Sequence, residues 1–365
     1  MIPAVLANSG GLADIIQTAK SRTGFSRILS DCIKCVVHEK RNGAFYAEIT
    51  VPVKSEDYNV LKGGALLWMK PNPIDEIQCF RVASEEAAPI KGTALFKANH
   101  ISYDLKKTSV IPFTATGTTQ AFQRLMNYQY RRGGSAFVLS TDIASNNSFT
   151  VKTPQSVRAV MAGQIGSLQD RFGGEWLFDN LSCRLKASRG SFTNLLIIYG
   201  LNIIDYRQER NLFDVYTHVQ GYATRNNVTT LGDIVEMVST NDPKYINVDV
   251  SDMLSAGETP TVQRVTELTE AYAQTHNLVS PKINIKVDLL DLSKTEEYKN
   301  YSAFASCGLC DTVTVRFPLL GVESTAKVIE YDYDVLKECY NSLEIGEPIE
   351  TIVSAVAQLK KEVKS

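Results

Sequence analysis

No apolar run in this sequence approaches the roughly 20 residues that a helix needs to cross a bilayer, so no membrane anchor is expected. No long run of like charge occurs either, with 38 basic residues against 40 acidic ones and a formal net charge of −2. That balance argues against tight, salt-sensitive gripping of nucleic acid and against attraction to a membrane surface. Histidine is scarce. His38, His100, His218 and His276 are the whole set, and none stands at a zinc-protease helical spacing. There is no Gly-x-Ser-x-Gly elbow and no phosphate-cradling loop, since Gly63-Gly64 and Gly173-Gly174 read as turns. Cys35 near His38 falls on an expected strand, where the two side chains point to opposite faces. Seven cysteines make an odd count without a regular framework, which fits reduced thiols. The segment Met1 to Leu6 is too short for a signal-peptide core, so synthesis in the cytosol is expected.

One metal constellation is worth weighing. Cys32-x-x-Cys35 and Cys307-x-x-Cys310 together carry the four thiols of a tetrahedral zinc site. Residues three apart on a strand face oppositely, which is wrong for chelation. The thiols therefore read as buried or half-buried, and no catalytic residue, cofactor or metal is expected. Glu85-Glu86 reads as a solvated pair. Trp68 and Trp176, the only tryptophans, lie on expected strands, where core packing is the default role.

What the sequence does have is β periodicity, and it has it twice. Ile283, Ile285, Val287 and Leu289 alternate with polar residues, as do Val313, Val315 and Phe317, and a third run spans Ala326 to Tyr331. Earlier, Phe45, Ala47, Ile49, Val51 and Val53 share one face, Ala65 to Lys70 is apolar, and Cys79 to Val82 follows. Aligned without gaps from Gly64 against Cys310, Arg81-Val82 falls on Lys327-Val328. The pattern points to an internal duplication. A chain with two like β modules can build a ring with twice its subunit number in quasi-equivalent positions.

Around these modules, Met1 to Ile28 reads as a peripheral arm. Ile33 to Glu39 and Ala44 to Val53 form a hairpin about Arg41-Asn42-Gly43. Pro71 and Pro73 end the strand before them. After Pro112 the pattern becomes mixed: Thr118 and Thr153-Pro154 are helix-start signals, and Glu175 to Leu185 is a hairpin about Asp179-Asn180. Thr259-Pro260 opens the clearest helix, with Val262, Val265, Leu268, Ala271 and Tyr272 as its stripe and Asn277 as its stop. The expected division is 1–110, an arm and first β-barrel module; 111–222, an inserted α/β region; 223–345, a second β-barrel module with a helix over 260–276; and 346–365, a heptad helix. In that tail Ile349, Ile352, Val356, Leu359 and Val363 alternate spacings of three and four. They form either a terminal helix docked on its own domain or the first turns of an inter-subunit coiled coil, a possible trimer seam. The content of 16 Tyr and 14 Phe is a further hint of assembly surfaces.

Several segments together resemble a known family. LSDCIKCVVHEKRNGAFYAEITVPV (29–53), KPNPIDEIQCFRV (70–82) and KANHISYDL (97–105) resemble the N-terminal region of phage minor structural proteins, the prophage tail family often labelled tail endopeptidase. GSLQDRFGGEWLFDNLSCRL (166–185), the region 248–298 and CDTVTVRFPLLGVESTAKVIEYDYDVL (310–336) resemble later blocks of it, in the same order. Cys310 departs from the family, which commonly has Gly there. The resemblance implies an α+β, β-rich, baseplate-hub-like fold with two tube-like β-barrel modules and an inserted α/β region. It implies a homotrimer at the distal end of a tail tube in the virion. Its implied partners are the tube or distal tail protein and host-facing fibre or lysin parts, with passage of DNA but no specific binding of it. Long family members carry cell-wall-degrading regions after the hub, whereas this sequence stops at Ser365, so activity as an endopeptidase is not implied for it. The alternatives are a tail-associated cell-wall endopeptidase or hydrolase, for which no titratable pair is found, and a module that binds host-wall carbohydrate, for which an exposed Trp68 or Trp176 is the candidate platform.

Overall fold

The computed structural model describes all residues except 1, 8–9, 63, 89, 131–135, 165, 200, 212–214, 255–256, 277, 280–281, 290–306, 318–321 and 347–365. The proposed seam from Ile349 to Val363 and the helix stop at Asn277 lie outside the described residues. The chain folds as two compact units, Met1–Arg207 with Ile285–Ser365, and Gln208–Asn284.

The chain opens with β1 (Ala4–Leu6), α1 (Leu12–Lys20) and β2 (Phe25–Ile28), followed by β3 (Lys34–Lys40), β4 (Phe45–Pro52), α2 (Glu56–Leu61), β5 (Leu66–Met69), β6 (Gln78–Ala88) and β7 (Thr93–His100). The first 28 residues are not a peripheral arm. β1 is buried throughout and pairs antiparallel with both β2 and β5, because Ala4, Val5 and Leu6 are a short apolar run able to fill an inner strand. β3 and β4 pair as expected, with Asn42 at φ 57 in their turn. The inward face of β4 is Phe45, Ala47, Ile49 and Val51, all buried.

The next stretch holds β8 (Ser109–Val110), β9 (Phe113–Thr116), α3 (Gly117–Asn127), β10 (Gln129–Tyr130), β11 (Val138–Thr141), β12 (Ser148–Val151), β13 (Gln155–Ser156), α4 (Val157–Met161), α5 (Leu168–Phe172), β14 (Glu175–Asp179) and β15 (Ser182–Lys186). It builds three small sheets, β10-β8-β13, β11-β15-β14 and β12-β9. Helix starts differ locally from the sequence reading. α3 is capped at Thr116, whose N–H donates to Gln120 Oε1 at 2.7 Å, while Thr118 turns inward and donates to Ile143 O. α4 starts at Ser156, whose Oγ accepts from Ala159 N, rather than at Thr153. Asp179 pairs with Ser182, so the two-residue turn is Asn180-Leu181, one position later than expected.

Then come β16 (Phe192–Ile198), β17 (Ile203–Asn211), β18 (His218–Arg225), β19 (Val228–Glu236), β20 (Tyr245–Asp249), α6 (Val262–His276), β21 (Lys282–Leu289), β22 (Thr312–Phe317), β23 (Val322–Asp334) and β24 (Cys339–Gly346). The Gln208–Asn284 unit is the three-stranded sheet β19-β18-β20 with α6 against it. A Cβ at Gly221 or Gly232 would strike Thr269 or Thr266, so two glycines let the helix approach the sheet closely. The buried stripe of α6 is Val265, Leu268, Thr269 and Ala273; Val262 and Ala271, assigned to it from sequence, are exposed. α6 therefore belongs with residues 208–284, whereas the sequence reading grouped 223–345.

The first unit is organised by one large, mostly antiparallel sheet of order β17-β21-β24-β23-β3-β4-β7-β6-β5-β1-β2, with β22 on β23 and β16 on β22. The fold is β-rich α+β. Among the described residues this strand path is open, ending at β17 and β2, and no closed barrel is seen in their pairing.

Within it the duplication is visible strand for strand. β4, β5, β6 and β7 lie in the order β4-β7-β6-β5, and β21, β22, β23 and β24 in the order β21-β24-β23-β22, the same Greek-key arrangement. Leu66 pairs with Arg81 where Thr312 pairs with Lys327, and Ala88 pairs with Thr93 where Asp334 pairs with Cys339. Val82 N donates to Ala65 O, and Val328 N to Asp311 O. A bulge falls between Val82 and Ser84 in one copy and between Val328 and Glu330 in the other. One constant offset relates every one of these positions, the same that sets Gly64 against Cys310. Gly64 has φ 82 and Cys310 has φ 70, so the position demands a left-handed backbone in both copies, which explains why glycine suits it. β24 carries one further bulge that β7 lacks, opposite Asp332/Tyr333.

Candidate functional site

The chemistry concentrates where the two modules meet. β23 pairs with β22 through its first half and, from Glu330 to Asp334, with β3 of the first module. Arg41 N donates to Ile329 O at 2.7 Å, and Val335 N to Cys35 O at 2.8 Å, closing the junction at both ends. Across it Lys40 Nζ lies 2.6 Å from Glu330 Oε2, and His38 Nδ1 bonds Asp332 Oδ1. His38 also stacks on Tyr46. Burial is the largest single influence on the Asp332 carboxylate and pushes it up, but the bond and charge of His38, the hydroxyl of Ser342 and the charge of Lys286 together hold it below its ordinary value.

Beneath this junction sits a buried ionic cluster. Arg189, 6% exposed, donates from Nη1 to Glu39 Oε1 at 2.9 Å and to Trp176 O at 3.2 Å. Tyr331 Oη donates to Glu39 Oε2 at 2.7 Å and accepts from Asn72 Nδ2 at 3.0 Å. Asp75 lies 3.6 Å from Arg189 Nη2. Burial works against the charge on Arg189, but the Glu39 and Asp75 carboxylates hold it protonated. Burial pushes Glu39 up, partly countered by Arg189. Next to this, Glu175 receives Lys327 and Arg41, each at 3.1 Å, and accepts from Arg189 N.

These contacts fasten the β14-β15 hairpin at both of its ends. Asn42 in the β3-β4 turn accepts from Trp176 N at 2.8 Å and donates to Gly174 O at 2.9 Å. Asn180 in the hairpin turn accepts from Cys79 N at 2.8 Å, donates to Ile77 O at 2.9 Å and gives its own N–H to Gln78 Oε1. Asn42 and Asn180 thus each make a turn with a positive φ and bind the neighbouring element with the side-chain amide. Gly190 presses on the backbone of Cys310, where a Cβ would collide with the carbonyl oxygen, and Asp311 accepts from Ser191 N and Gly308 N.

The residues weighed for catalysis or metal do not converge. Cys35 is fully buried and lies against Met69 Sδ at 3.6 Å, while His38 lies on the other face of β3 against Asp332. Burial pushes the thiols of Cys32, Cys79, Cys183, Cys307 and Cys310 each up to about 12, the opposite of an activated nucleophile. Among the described residues no group of three His, Cys, Asp or Glu side chains could hold a metal ion. His100 is buried, stacked on Phe45, with Nδ1 accepting from Ser102 N and Nε2 facing Gln78 Oε1, and burial drives it well below its ordinary value. Trp68 and Trp176 are 5% and 2% exposed, so neither offers a sugar platform. A cleft of about 430 Å³ lies at the first-module bulge, lined by Gly64, Arg81, Ala83, Tyr103 and Lys106, and its Arg81 is already committed to Asp104 at 2.8 Å. The ionic cluster had no sequence signal beyond scattered charges, because its members come from four separate stretches.

No protein-family model matches the sequence, and no curated protein matches it. Solved structures do. The prophage tail protein gp18 from Listeria monocytogenes superposes with a TM-score of 0.60 at 13% identity over 100% of both chains. A tail protein from Neisseria meningitidis gives 0.59 at 9% identity, covering 95% of this chain and 96% of its own. The 43 kDa tail protein of prophage MuSo2 from Shewanella oneidensis gives 0.59 at 10% identity, covering 88% and 95%. The chain thus has the fold of prophage tail proteins, as the resemblance in its segments implied.

Proposed function

We propose that this chain is a structural subunit of a phage tail tip or baseplate, acting by assembly rather than by catalysis. Three copies form a ring at the distal end of the tail tube, so that two modules per chain offer six like positions to the tube. The ring docks to the tube or distal tail protein on one side and to host-facing fibre or lysin parts on the other, with DNA passing through it. The observation that carries this reading is the duplicated Greek-key module, whose shared register, bulge and left-handed position are hard to account for unless both copies do the same geometric work. The fold shared with prophage tail proteins supports it. The heptads from Ile349 to Val363 are the proposed trimer seam.

Light scattering over a dilution series tests the reading. The expected mass approaches three times 40.4 kDa with rising concentration, and Ile352→Asp with Val356→Asp lowers the concentration-dependent mass. A dimer or tetramer would overturn the threefold ring.

A further inference from the structure

The two copies of the module differ at one edge. In the second copy the far side of β23 from Glu330 to Asp334 is covered by β3, and Tyr331, Tyr333 and Asp334 are buried there. In the first copy the matching segment of β6 is Ser84–Ala88. It pairs with β7 on one side, and no described strand pairs with its other side. Ala83 to Ala87 are all exposed. Ile90 is fully exposed, whereas its counterpart Leu336 is half-buried against the core. The bulge next to this edge is also open. In the second copy Lys327 bonds Glu175 and Arg189 O while Gly190 packs on Cys310, whereas in the first copy the same positions, Arg81 and Gly64, line the 430 Å³ cleft.

The covering strand is duplicated too. β3 precedes β4 and lies beside it, and β17 precedes β21 and lies beside it. β17 ends the strand path among the described residues, and Ile204 is 68% exposed on it. Among the described residues, one chain therefore has a segment of β6 in its first module and an end strand, β17, in its second that no further strand pairs. Unpaired strand edges are templates for addition of another strand. The charges fit as well. Within the chain, acids on β23 meet bases on β3, as Glu330 meets Lys40 and Asp332 meets His38. At Asp332's position β6 has Glu86, and β17 carries the exposed Arg207, which within the chain lies 3.6 Å from Asp205 of the same strand and would exchange that partner for Glu86.

We propose that β17 of one copy adds antiparallel to Ser84–Ala88 of β6 in a second copy, repeating between chains the β3-β23 junction found within each. The contact is head-to-tail, with different surfaces on the two sides, so it propagates around a closed ring. It rests on the assembly reading above and names the surface through which that assembly forms.

Backbone parity selects the test. Val53 N donates to Gly92 O, so Thr93 turns its own backbone groups toward Ala88, which leaves those of Glu85 and Ala87 facing the open edge. Hydrogen exchange of the full chain is followed in peptides covering 84–88 and 203–207, at concentrations where light scattering gives the single-chain mass and where it gives the assembled mass. Both peptides are expected to exchange at least about tenfold more slowly in the assembly. Ala87→Pro removes an N–H that no described group in the same chain receives, so it is expected to keep the melting temperature of the single chain and lose the assembled mass. Glu86→Arg is expected to raise the concentration needed for assembly without touching the backbone. Assembly with both peptides exchanging at single-chain rates, or an Ala87→Pro chain that assembles normally, would overturn the strand junction and leave the ring standing. A chain of single mass at every concentration would overturn both.

Discussion

Glu39 and Arg189 lie 150 residues apart in sequence and meet with almost no solvent around them. A buried pair of this kind is a weak contributor as a pair but a costly one to break, because the survivor keeps its charge without a partner. Arg189→Met is expected to destabilise the chain by about 3–5 kcal/mol, and adding Glu39→Gln should recover much of it, read from urea midpoints. His100 gives the pH dependence its sign. Its folded value lies well below the ordinary 6.5 because burial penalises its charge. Below about pH 6.5 the unfolded chain takes up a proton that the folded chain refuses, so stability falls as pH falls, by up to about 1.4 kcal/mol per pH unit. Glu39 has the opposite sign, since its raised value adds stability that is present below 4.5 and lost as pH rises through the folded value. Comparing the chain with His100→Gln across the pH range isolates the histidine: the loss that sets in below about pH 6.5 should be absent from the variant, while the loss from protonating Asp332, at lower pH, should remain. At Gly190, Gly190→Ala combines a φ of 86 with a Cβ inside the Cys310 carbonyl, and a loss of about 2–4 kcal/mol is expected by thermal melting. Of these residues only the turn asparagines were legible in the sequence. Asn42 and Asn180 announce positive φ by type, whereas nothing local marks Glu39 or Arg189 as buried partners.

At the scale of elements, legibility followed period and stopped at topology. The strands of both modules were readable because most alternate, as β4, β21 and β22 do, while β5 stood out as a short apolar run, and the gapless match of Gly64 to Cys310 proved to be the register itself. Helix starts were misplaced by two or three residues where several Ser and Thr stood close together, as at Thr116 and Thr118, since any of them can accept the first free N–H. β1 was missed as a strand because three residues are too few to show a period. The grouping of α6 was also hidden, because its two contact glycines, Gly221 and Gly232, look like ordinary strand interruptions. The duplication makes a test at this scale. β3 joins β4 through a short turn, while the equivalent β17 joins β21 through residues 212–281, the body of the compact unit Gln208–Asn284. Replacing 212–281 by Asn-Gly is expected to leave a chain that melts cooperatively with β-rich circular dichroism. Loss of the cooperative transition would mean that the remaining strands depend on the removed unit.

For the whole molecule, the near balance of 38 bases and 40 acids suits the proposed conduit, which would have to release what passes through it. Duplex DNA is therefore expected to show no retention on the immobilised chain at about 0.15 M salt, and firm, salt-sensitive retention would count against a passive channel. The two hairpin connections have a further consequence, in the terms of descent. On the reading that one module doubled, the two connections began as equals, whereas in this chain Asn42 is held by Gly174 and Trp176 and residues 212–281 link β17 to β21. A loop pinned by its neighbours cannot accept new sequence without losing those bonds, whereas a connection that already holds a compact unit of its own can lengthen at little cost. Diversity among descendants of this chain should therefore accumulate on one side of the repeat only, and the Arg41-Asn42-Gly43 corner should be where their lengths agree.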